Sequence, residues 1–451
     1  MPTNIEMSAI AEDLLHQANS LGATEADVMV AEGTSISVQV RLSEIDRLSH
    51  AQEKSLGLRV FFGKRSAISS TSDFSSSSLK QFVSDTCSFA KAVAEDRVSG
   101  LPEPDSFTRD FPDLDVCDET VLSVEQEIDL ARRAEDAARA EDARVTNSEG
   151  ADCSVGHGSI MLANSHGFRG RHKSSSFSLS VSPIVTDQDT GSMQTDSWYS
   201  VKRKYALLDS PESIGKKATQ RAIRKLGARK VGTQRVPVVY DQETAGSILG
   251  HIASAVSGYA LYKGASFLLN ELGNVLAPEF VSIIDDGRLM GGLGSRPFDG
   301  EGLATRRTMV MEAGTLTSYL LDTYSGRKLG FPSTGNASRG VGDSPTVSPT
   351  NLFFQPGSRS ESDIISSISQ GLYVTELIGF GVNMVTGDYS RGAAGFWIEN
   401  GELAYPVEEV TIAGNLKTML ADIDMIGNNL EFRGRIASPT LKIREMTVAG
   451  N

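Results

Sequence analysis

The sequence predicts an α+β fold with an N-terminal α/β domain, a middle helix-strand region and a β-rich C-terminal domain with Gly-rich hairpins. Helical spacing and alternating strand patterns both occur before residue 232, whereas short strands separated by glycine turns dominate after residue 262. The chain has 451 residues, and domains of roughly 100 to 200 residues indicate two or three of them. We place the domains at 1–100, 119–232 and 233–451, with a linker at 101–118.

The first 100 residues combine two helical patterns with a short sheet. Apolar residues recur at helical spacing from Met7 to Leu21, and Gly22 follows as the residue that ends an opening helix. The other elements predicted here are strands at 26–31 and 36–40, a hairpin around Gly63, and a helix after the serines at 75–78 whose apolar face includes Cys87.

The segment 101–118 separates this region from the middle of the chain. Residues 101–117 carry three prolines and five acidic residues, a composition typical of an extended connection. Beyond it, Ser123 and Gln126 form a capping box, which predicts an alanine-rich helix up to Ala143. The rest of the middle region is predicted as strands at 143–147, 158–164 and 174–185, followed by a helix that begins at Ser210 and Pro211.

The C-terminal region begins with a predicted strand at 236–240 and a helix rich in small residues at 245–262. Two short strands, 308–311 and 316–321, are predicted to form a hairpin closed by Gly314. The stretch 379–420 holds the strongest glycine and turn signals. It is predicted as a strand at 385–390 that runs into a turn, a Gly-rich segment at 391–395, a strand at 396–398 and a hairpin turn at Asn400 and Gly401.

Composition limits the classes of function. The formal net charge is −14 and the sequence pI is about 5.0, so the mean field repels phosphate and argues against a general nucleic-acid or anionic-membrane binder. No apolar run approaches the ~20 residues that span a bilayer, and the N-terminus lacks the pattern of a signal peptide. Three widely spaced cysteines fit a reducing compartment better than a disulfide framework. We therefore expect a soluble cytoplasmic protein.

One segment departs from this acidic background. Residues 202–235 contain eleven lysines and arginines against two acidic residues. Tyr205 is the only aromatic residue in the segment, whereas surfaces that bind single-stranded nucleic acid interleave aromatic and basic side chains. We interpret the segment as a solvated face, or one paired with acids of another domain, and nucleic-acid binding is the less favoured alternative.

Two patterns of chemically active residues are weak. Cys153, His157, His166 and His172 are potential metal ligands, but Cys153 and His157 on one strand stand ~13 Å apart, which is too far for one zinc ion. Only a hairpin that pairs His157 with His166 would bring such ligands together. Ser390, with Asp388 nearby and His251 as base, would supply a serine hydrolase triad. The Gly-x-Ser-x-Gly nucleophile elbow is absent around Ser390, so this hydrolase is disfavoured.

The sequence VTGDYSRGAAGFWIENGELAYPVEEVTIAGNL, residues 385–416, resembles the hallmark of the TldD/TldE (PmbA) family. The match is long, ungapped and unusual in composition. The resemblance extends over nearly the whole chain, and the other segments that carry it are 57–67, 250–273, 296–302 and 333–337.

The resemblance bears directly on metal chemistry. Catalytic members of the family carry a zinc motif, HExxxH, on a helix, and a distant cysteine ligand. The matching segment here, 245–256, has His251 alone, with no adjacent glutamate and no second histidine. The segment that matches the distant ligand, 429–443, contains no cysteine. One imidazole cannot supply the roughly three protein ligands of a catalytic zinc site, so the chain resembles TldE, the subunit without metal.

The resemblance implies a function for the assembled protein. We expect no cofactor on this chain, a TldD-like zinc subunit as its partner, and cleavage of unfolded or flexible peptides by the complex in the cytoplasm. The alternative is a non-proteolytic regulator or scaffold, for example a binding protein of the gyrase-modulator type.

Five residues are candidates for contact with the partner or the peptide. Asp388, Tyr389 and Arg391 are polar residues in a Gly-rich strand, where a role in folding alone would favour apolar ones. Asn400 lies in the hairpin turn, and His251 is interpreted as a helix residue with satisfied hydrogen bonds, or as one that lines a subunit contact, rather than as a metal ligand.

Overall fold

An antiparallel sheet of seven strands organises the first half of the chain, in a computed structural model that describes residues 4–450. Helices that precede and follow its strands pack on the sheet. The helices and strands of this half are α1 (Asn4–Ser20), β1 (Glu25–Arg41), β2 (Glu44–Phe62), β3 (Arg65–Thr71), α2 (Ser76–Ala92), α3 (Val124–Glu141), β4 (Val145–Asn164), β5 (Arg169–Thr186), β6 (Met193–Thr195), β7 (Trp198–Lys202) and α4 (Pro211–Arg224).

The strands of this sheet are longer than the sequence patterns predict. Their order is β3-β2-β1-β4-β5-β6, with β7 beside β5. The predicted strands 26–31 and 36–40 are one strand, because every residue from Asp27 to Val40 is paired with both β2 and β4. Separate strands at 143–147 and 158–164 are likewise wrong, since β4 spans both. Because β1 and β4 are neighbours, one sheet joins segments from both sides of the 101–118 linker.

Two pairs of helices cover one face of this sheet. Alternate residues of β1 point toward that face. Val28 and Val30 pack with α1 and α2, whereas Val38 and Val40 pack in a second cluster with α3 and α4. The part of the sheet between the two clusters is covered by neither pair.

Local signals predict several helix boundaries correctly. The Ser123 side chain accepts a hydrogen bond from the backbone N–H of Gln126, and the capping box that begins α3 is complete. Ser210 caps α4, with Pro211 as the first helical residue. Cys87 is buried in the apolar face of α2, as its spacing predicts.

The opposite face of the sheet lies against the C-terminal half of the chain. Met29 and Leu162 pack there with Phe298, which comes from that half. The approach is close at Gly57, where an added Cβ atom would lie 1.7 Å from the carbonyl oxygen of Val341. Glycine is therefore required at this contact.

Short strands and short helices form the C-terminal half. Three sheets are present within residues 233–450, and the largest has six strands. The elements are β8 (Gln234–Tyr240), α5 (Gln242–Ala255), α6 (Gly258–Tyr262), β9 (Ile283–Asp286), β10 (Arg307–Glu312), β11 (Thr315–Leu316), α7 (Thr323–Leu329), β12 (Ala337–Ser338), β13 (Thr346–Val347), β14 (Leu352–Phe354), α8 (Glu361–Ser366), β15 (Gln370–Ile378), β16 (Asp388–Glu399), β17 (Glu402–Asn415), α9 (Leu416–Ala421), β18 (Ile423–Ile426), β19 (Ile436–Ala437) and β20 (Leu441–Ala449).

Five strands of the largest sheet close into a barrel. Neighbours in the order β17-β16-β15-β8-β20 are hydrogen-bonded, and residues 411–413 of β17 pair again with β20. Strand β18 lies outside this ring beside β20, and the second sheet has the order β11-β10-β9-β14-β19. Helix α5 packs on the barrel through its apolar residues. The predicted α+β fold, with a β-rich C-terminal part, is confirmed.

Two predictions around helices and hairpins of this half need correction. The predicted helix 245–262 is divided, because Ser257 is extended (φ −66°, ψ 128°) and separates α5 from α6. The predicted strand 316–321 is much shorter, since only Thr315 and Leu316 pair with β10. The turn between β10 and β11 is as predicted, with Gly314 at φ 78°.

The beginning of the Gly-rich stretch also differs from its prediction. Residues 385–387 belong to a turn rather than a strand, because the Asn383 side chain accepts a hydrogen bond from Val385 N–H at 2.9 Å. Gly387, at φ 80°, ends the turn, and β16 begins only at Asp388. The order is thus a turn that runs into a strand.

The hairpin between β16 and β17 turns at Asn400 and Gly401, as predicted. Both residues have positive φ, 51° and 83°. Gly401→Val is expected to lower the free energy of unfolding by about 1 to 3 kcal/mol, because a β-branched residue adopts positive φ only with strain. Urea unfolding of the variant beside the wild type measures this, and an unchanged midpoint would contradict it.

Candidate functional site

Helix α5 carries His251 and holds it against the barrel. Asp241 caps the helix by accepting a hydrogen bond from Thr244 N–H at 2.8 Å. The apolar residues of α5 pack on the barrel, which leaves His251 half-buried. Its ring centroid lies 6.1 Å from that of Tyr389, at an interplanar angle of 79°. This edge-to-face contact fixes the position of the histidine relative to β16.

Tyr389 and Arg391 lie beside this histidine because alternate residues of a strand share a face. Tyr389 is only 1% exposed, and Arg391 is half-buried with its Nη2 3.3 Å from the carbonyl oxygen of Leu377. Two polar atoms of this cluster, His251 Nε2 and Arg391 Nε, are buried and lack a hydrogen-bond partner within residues 4–450, whereas the hydroxyl of Tyr389 interacts with that of Tyr240. Buried polar groups are normally paired, so these atoms mark the strongest candidate site of the barrel.

The electrostatics of the cluster leave it with one charge. Burial lowers the pKa of His251, and the Arg391 cation lowers it further, so the imidazole is neutral at pH 7. Burial raises the pKa of Tyr389, which stays a neutral phenol. The remaining charge is the guanidinium of Arg391.

Tyr240 completes the cluster, and the sequence analysis does not select it. It is fully buried at the end of β8, where its hydroxyl lies 3.4 Å from the sulfur of Met446. Burial raises its pKa well above the usual value, with Tyr389 contributing in the same direction. No local pattern signals this residue, because only the barrel brings β8 near Tyr389.

Asp388 and Asn400 do not join the cluster. Asp388 is exposed and accepts hydrogen bonds from Thr386 Oγ1 at 2.7 Å and Asn415 Nδ2 at 3.2 Å, which tie the turn to β17. Asn400 lies at the opposite end of β16. Ser390 and Asp388 alternate with Tyr389 along the strand, so they point away from His251 and no triad forms.

The residues around His251 do not fit a zinc ion. Its neighbours in the cluster are phenols and a guanidinium, and a guanidinium offers no lone pair and repels a metal cation. Within residues 4–450, no group of three or more His, Cys, Asp and Glu side chains is arranged to hold a metal. The segment that matches the family's distant cysteine instead places Arg433 near α5, with Nη1 3.2 Å from Glu243 Oε1.

The histidines of the middle region are also separated. His157 pairs across the sheet with Ser175 rather than with His166, so the hairpin that would gather ligands does not form. His166 Nε2 is 3.2 Å from Glu25 Oε1. His172 lies against Phe298, and burial lowers its pKa to about 4.

The basic segment 202–235 is largely occupied by contacts within the protein. Lys225 pairs with Asp196 at 3.1 Å and Glu376 at 2.8 Å, and Lys230 pairs with Glu409 at 2.6 Å. Further contacts join Lys202 to Glu431, Lys204 to Asp115, Arg221 to Asp196, Arg235 to Glu445, and Arg224 and Arg229 to the rings of Phe396 and Tyr405. Most of these cations therefore already have partners within the protein and do not form an uncompensated positive patch that could bind phosphate.

Comparison with known proteins matches the chain to the PmbA and TldD metallopeptidases. Three family models match: PmbA/TldA metallopeptidase domain 1 over residues 26–94, the central domain over 117–226 and the C-terminal domain over 233–450. The Metalloprotease PmbA of Escherichia coli is 36% identical over 444 residues, which cover 98% of this chain and 96% of that protein. The chain therefore belongs to the PmbA/TldD family.

Other relatives span both branches of the family. A Metalloprotease TldD homolog of Buchnera aphidicola is 26% identical over 358 residues, 73% of each chain. A Bacteroides thetaiotaomicron structure, described as that of a proposed modulator of a DNA gyrase, has a TM-score of 0.92 and 28% identity, with both chains covered completely. TldE from Thermococcus kodakarensis shares the fold, with a TM-score of 0.88, 22% identity and coverage of 98% of this chain and 100% of that one.

None of the helices formed by residues 4–450 combines the length and apolar character needed to cross a bilayer.

Proposed function

We propose that this chain is the zinc-free subunit of a cytoplasmic two-chain peptidase, in which a TldD-like partner supplies the metal and unfolded or flexible peptides are cleaved. The observation that carries the proposal is that His251 has no second ligand beside it in the described part of the chain, where its neighbours are the phenol of Tyr389 and the guanidinium of Arg391. Family membership supplies the peptidase class. Similarity to a TldD homolog supports a partner with a related fold, with which this chain would assemble.

The chain's own contribution is to shape the substrate channel and the contact with the partner. The loop before β16 supports this role, because Phe380 is 100% exposed and Val385 is 56% exposed. Exposed apolar side chains at a loop tip are suited to bury against a second chain or an extended peptide. The imidazole of His251 on α5 and the guanidinium of Arg391 near the start of β16 would then lie close to that contact, because Ser390 N–H of β16 donates a hydrogen bond to the carbonyl oxygen of Gly381 in the loop.

Metal analysis of the purified chain is the first test. We expect less than one tenth of an equivalent of zinc, as an order-of-magnitude limit for a site with an incomplete ligand set. His251→Ala should leave both the metal content and the far-UV circular dichroism unchanged. One zinc per chain that is lost in His251→Ala would contradict the proposal.

The second test addresses Arg391 in the mixed complex. Arg391→Gln keeps the side-chain size but removes the one charge of the cluster, and peptide turnover with the TldD-like partner should fall about tenfold. Glu399→Gln, which also removes one charge but lies exposed at the far end of the same strand, is the matched control outside the cluster. Gel filtration of each mixture checks complex formation. Wild-type turnover by Arg391→Gln at wild-type complex levels would remove this residue from the site.

A non-proteolytic regulator or scaffold is the second candidate. It is favoured by the description of the Bacteroides relative as a gyrase modulator, while the ion pairs of segment 202–235 count against direct nucleic-acid binding. Adding the chain alone to purified DNA gyrase in a supercoiling assay separates the candidates. A dose-dependent change in supercoiling, with no peptide cleavage in the mixed complex, would favour the regulator.

A further inference from the structure

A cavity of about 870 Å³ lies on the helix-covered face of the N-terminal sheet, between the two helix pairs. Its floor is the uncovered middle of the sheet. Thr34 and Ile36 of β1 point into it between the two apolar clusters, and His157 and Ser159 of β4 lie beside them. Val121, which is 77% exposed, stands at its edge. The volume is within the range of roughly 300 to 1,000 Å³ that small-molecule sites occupy.

The wall of this cavity contains an ionisable side chain without a partner. Glu127 of α3 is fully buried, and both of its carboxyl oxygens lack a hydrogen-bond partner within the described part of the chain. Burial raises its pKa to about 7. A buried carboxyl left unpaired costs stability, so its presence at a cavity wall calls for a function.

A second glutamate of the same helix shows what a purely structural role looks like. Glu135, two turns further along α3, is equally buried, but its oxygens accept hydrogen bonds from Leu42 N–H and Ser43 N–H, both at 2.8 Å. These bonds hold a turn in which both residues have positive φ. The carboxyl oxygens of Glu127 accept no such hydrogen bonds within residues 4–450.

The other charges of the cavity already compensate one another. Lys54 Nζ is 3.1 Å from Glu32 Oε1, and Lys173 Nζ is 2.9 Å from Glu119 Oε1. Glu53 and Glu127 form no ion pair among residues 4–450. The uncompensated charge of the lining is thus acidic, and Ile36, Val155 and Leu122 supply apolar wall.

We propose that this cavity binds an amphiphilic cation, an ammonium or guanidinium group on an apolar body, with Glu127 as the counterion. The apolar body would lie on the uncovered middle of the sheet. The proposal concerns a site distinct from the barrel cluster and does not depend on the peptidase assignment. A free amine and a lysine side chain of a peptide share this chemistry.

Calorimetric titration with octylammonium, and with octanol as the neutral isostere, tests the proposal. The wild type should bind octylammonium at least about tenfold more tightly than octanol, a difference of ~1.4 kcal/mol. Glu127→Gln should abolish that preference. Glu135→Gln is the matched control in the same helix and should retain it, as should Glu53→Gln at the rim. Equal affinity for the two probes, or no binding of octylammonium, would overturn the proposal.

The pH dependence of octylammonium binding to the wild type is a second test, and it does not require that a Glu127 variant folds. Octylammonium affinity should rise several-fold between pH 6 and pH 8, because the carboxyl ionises over this range. His50 and His157 also line the cavity, whereas burial raises the pKa of Cys117 and of the neighbouring Cys153 above this range. His157→Gln and His50→Gln must keep the pH dependence; its loss in either would overturn the role of Glu127.

The source of the cation is distinguished in the same experiment. Acetyl-Leu-Lys-Leu-amide competes with octylammonium if a lysine-bearing peptide is the source, and its norleucine analogue is the control. Competition by the lysine peptide at lower concentration than octylammonium assigns the site to peptides. Competition only at higher concentration assigns it to small amines.

Discussion

Asp27→Ala is expected to lower the free energy of unfolding by about 3 to 5 kcal/mol, because it removes the carboxylate that pairs directly with two buried guanidinium groups. Asp27 is 3% exposed and pairs across β1 and β2 with Arg59, at 2.8 Å from its Nε. Its other carboxyl oxygen lies 2.9 Å from Arg339 Nη1, and the Arg339 side chain is 1% exposed. The cluster therefore joins the N-terminal sheet to the C-terminal half.

Urea unfolding followed by circular dichroism measures this effect. Glu445→Ala is the control, because its ion pair with Arg235 is exposed and such pairs contribute roughly 0 to 1 kcal/mol. Equal midpoints for Asp27→Ala and Glu445→Ala would show that the buried cluster does not stabilise the contact between the two halves.

The same cluster predicts a sign for acid unfolding. Burial alone would raise the pKa of Asp27, but Arg339 and Arg59 offset it and hold the pKa below the usual value. A depressed pKa contributes stability that is present at neutral pH and lost as pH falls below about 4. In Asp27→Asn, the decline of stability below pH 4 should be shallower than in the wild type. A decline of equal steepness would remove Asp27 from the acid response.

Gly395→Val is expected to lower the free energy of unfolding by about 3 kcal/mol or more, because it forces the paired strands β15 and β16 of the barrel apart. An added Cβ at Gly395 would lie 1.9 Å from the carbonyl oxygen of Tyr373, on the paired strand. The neighbour is backbone and cannot rotate away, so the strands must separate. Trp397, two residues further along β16 and 1% exposed, would then gain access to water.

Tryptophan fluorescence and urea unfolding together report the outcome of this substitution. Gly232→Ala is the control, since no heavy atom lies within 4 Å of an added Cβ there, and a change within about 0.5 kcal/mol is expected. Wild-type fluorescence and stability in Gly395→Val would show that β15 and β16 can accommodate a side chain between them. Close contact of the two strands would then not explain the glycines of this segment.

The candidate site was predictable from the sequence only in part. Residue types and family resemblance select His251, Tyr389 and Arg391, and the structure brings them together. The same grounds select Asp388 and Asn400, which lie apart from the cluster. Asp388 and Tyr389 are adjacent in β16, so their side chains point to opposite faces of the strand. Asn400 lies beyond the far end of β16, a strand's length from both.

The sequence by itself determined the features whose causes lie within a few residues: the capping box of α3, the hairpin turn at Asn400 and Gly401, and the helical spacing that buries Cys87. The tertiary structure alone decided the continuous β1, the closed barrel and the burial of Tyr240 beside Tyr389. It also decides that Glu135 is hydrogen-bonded and Glu127 is not, because the N–H donors to Glu135 come from residues 42 and 43, more than ninety positions away. Local patterns specify backbone conformation, whereas pairing and compensation of charge depend on which distant segments meet.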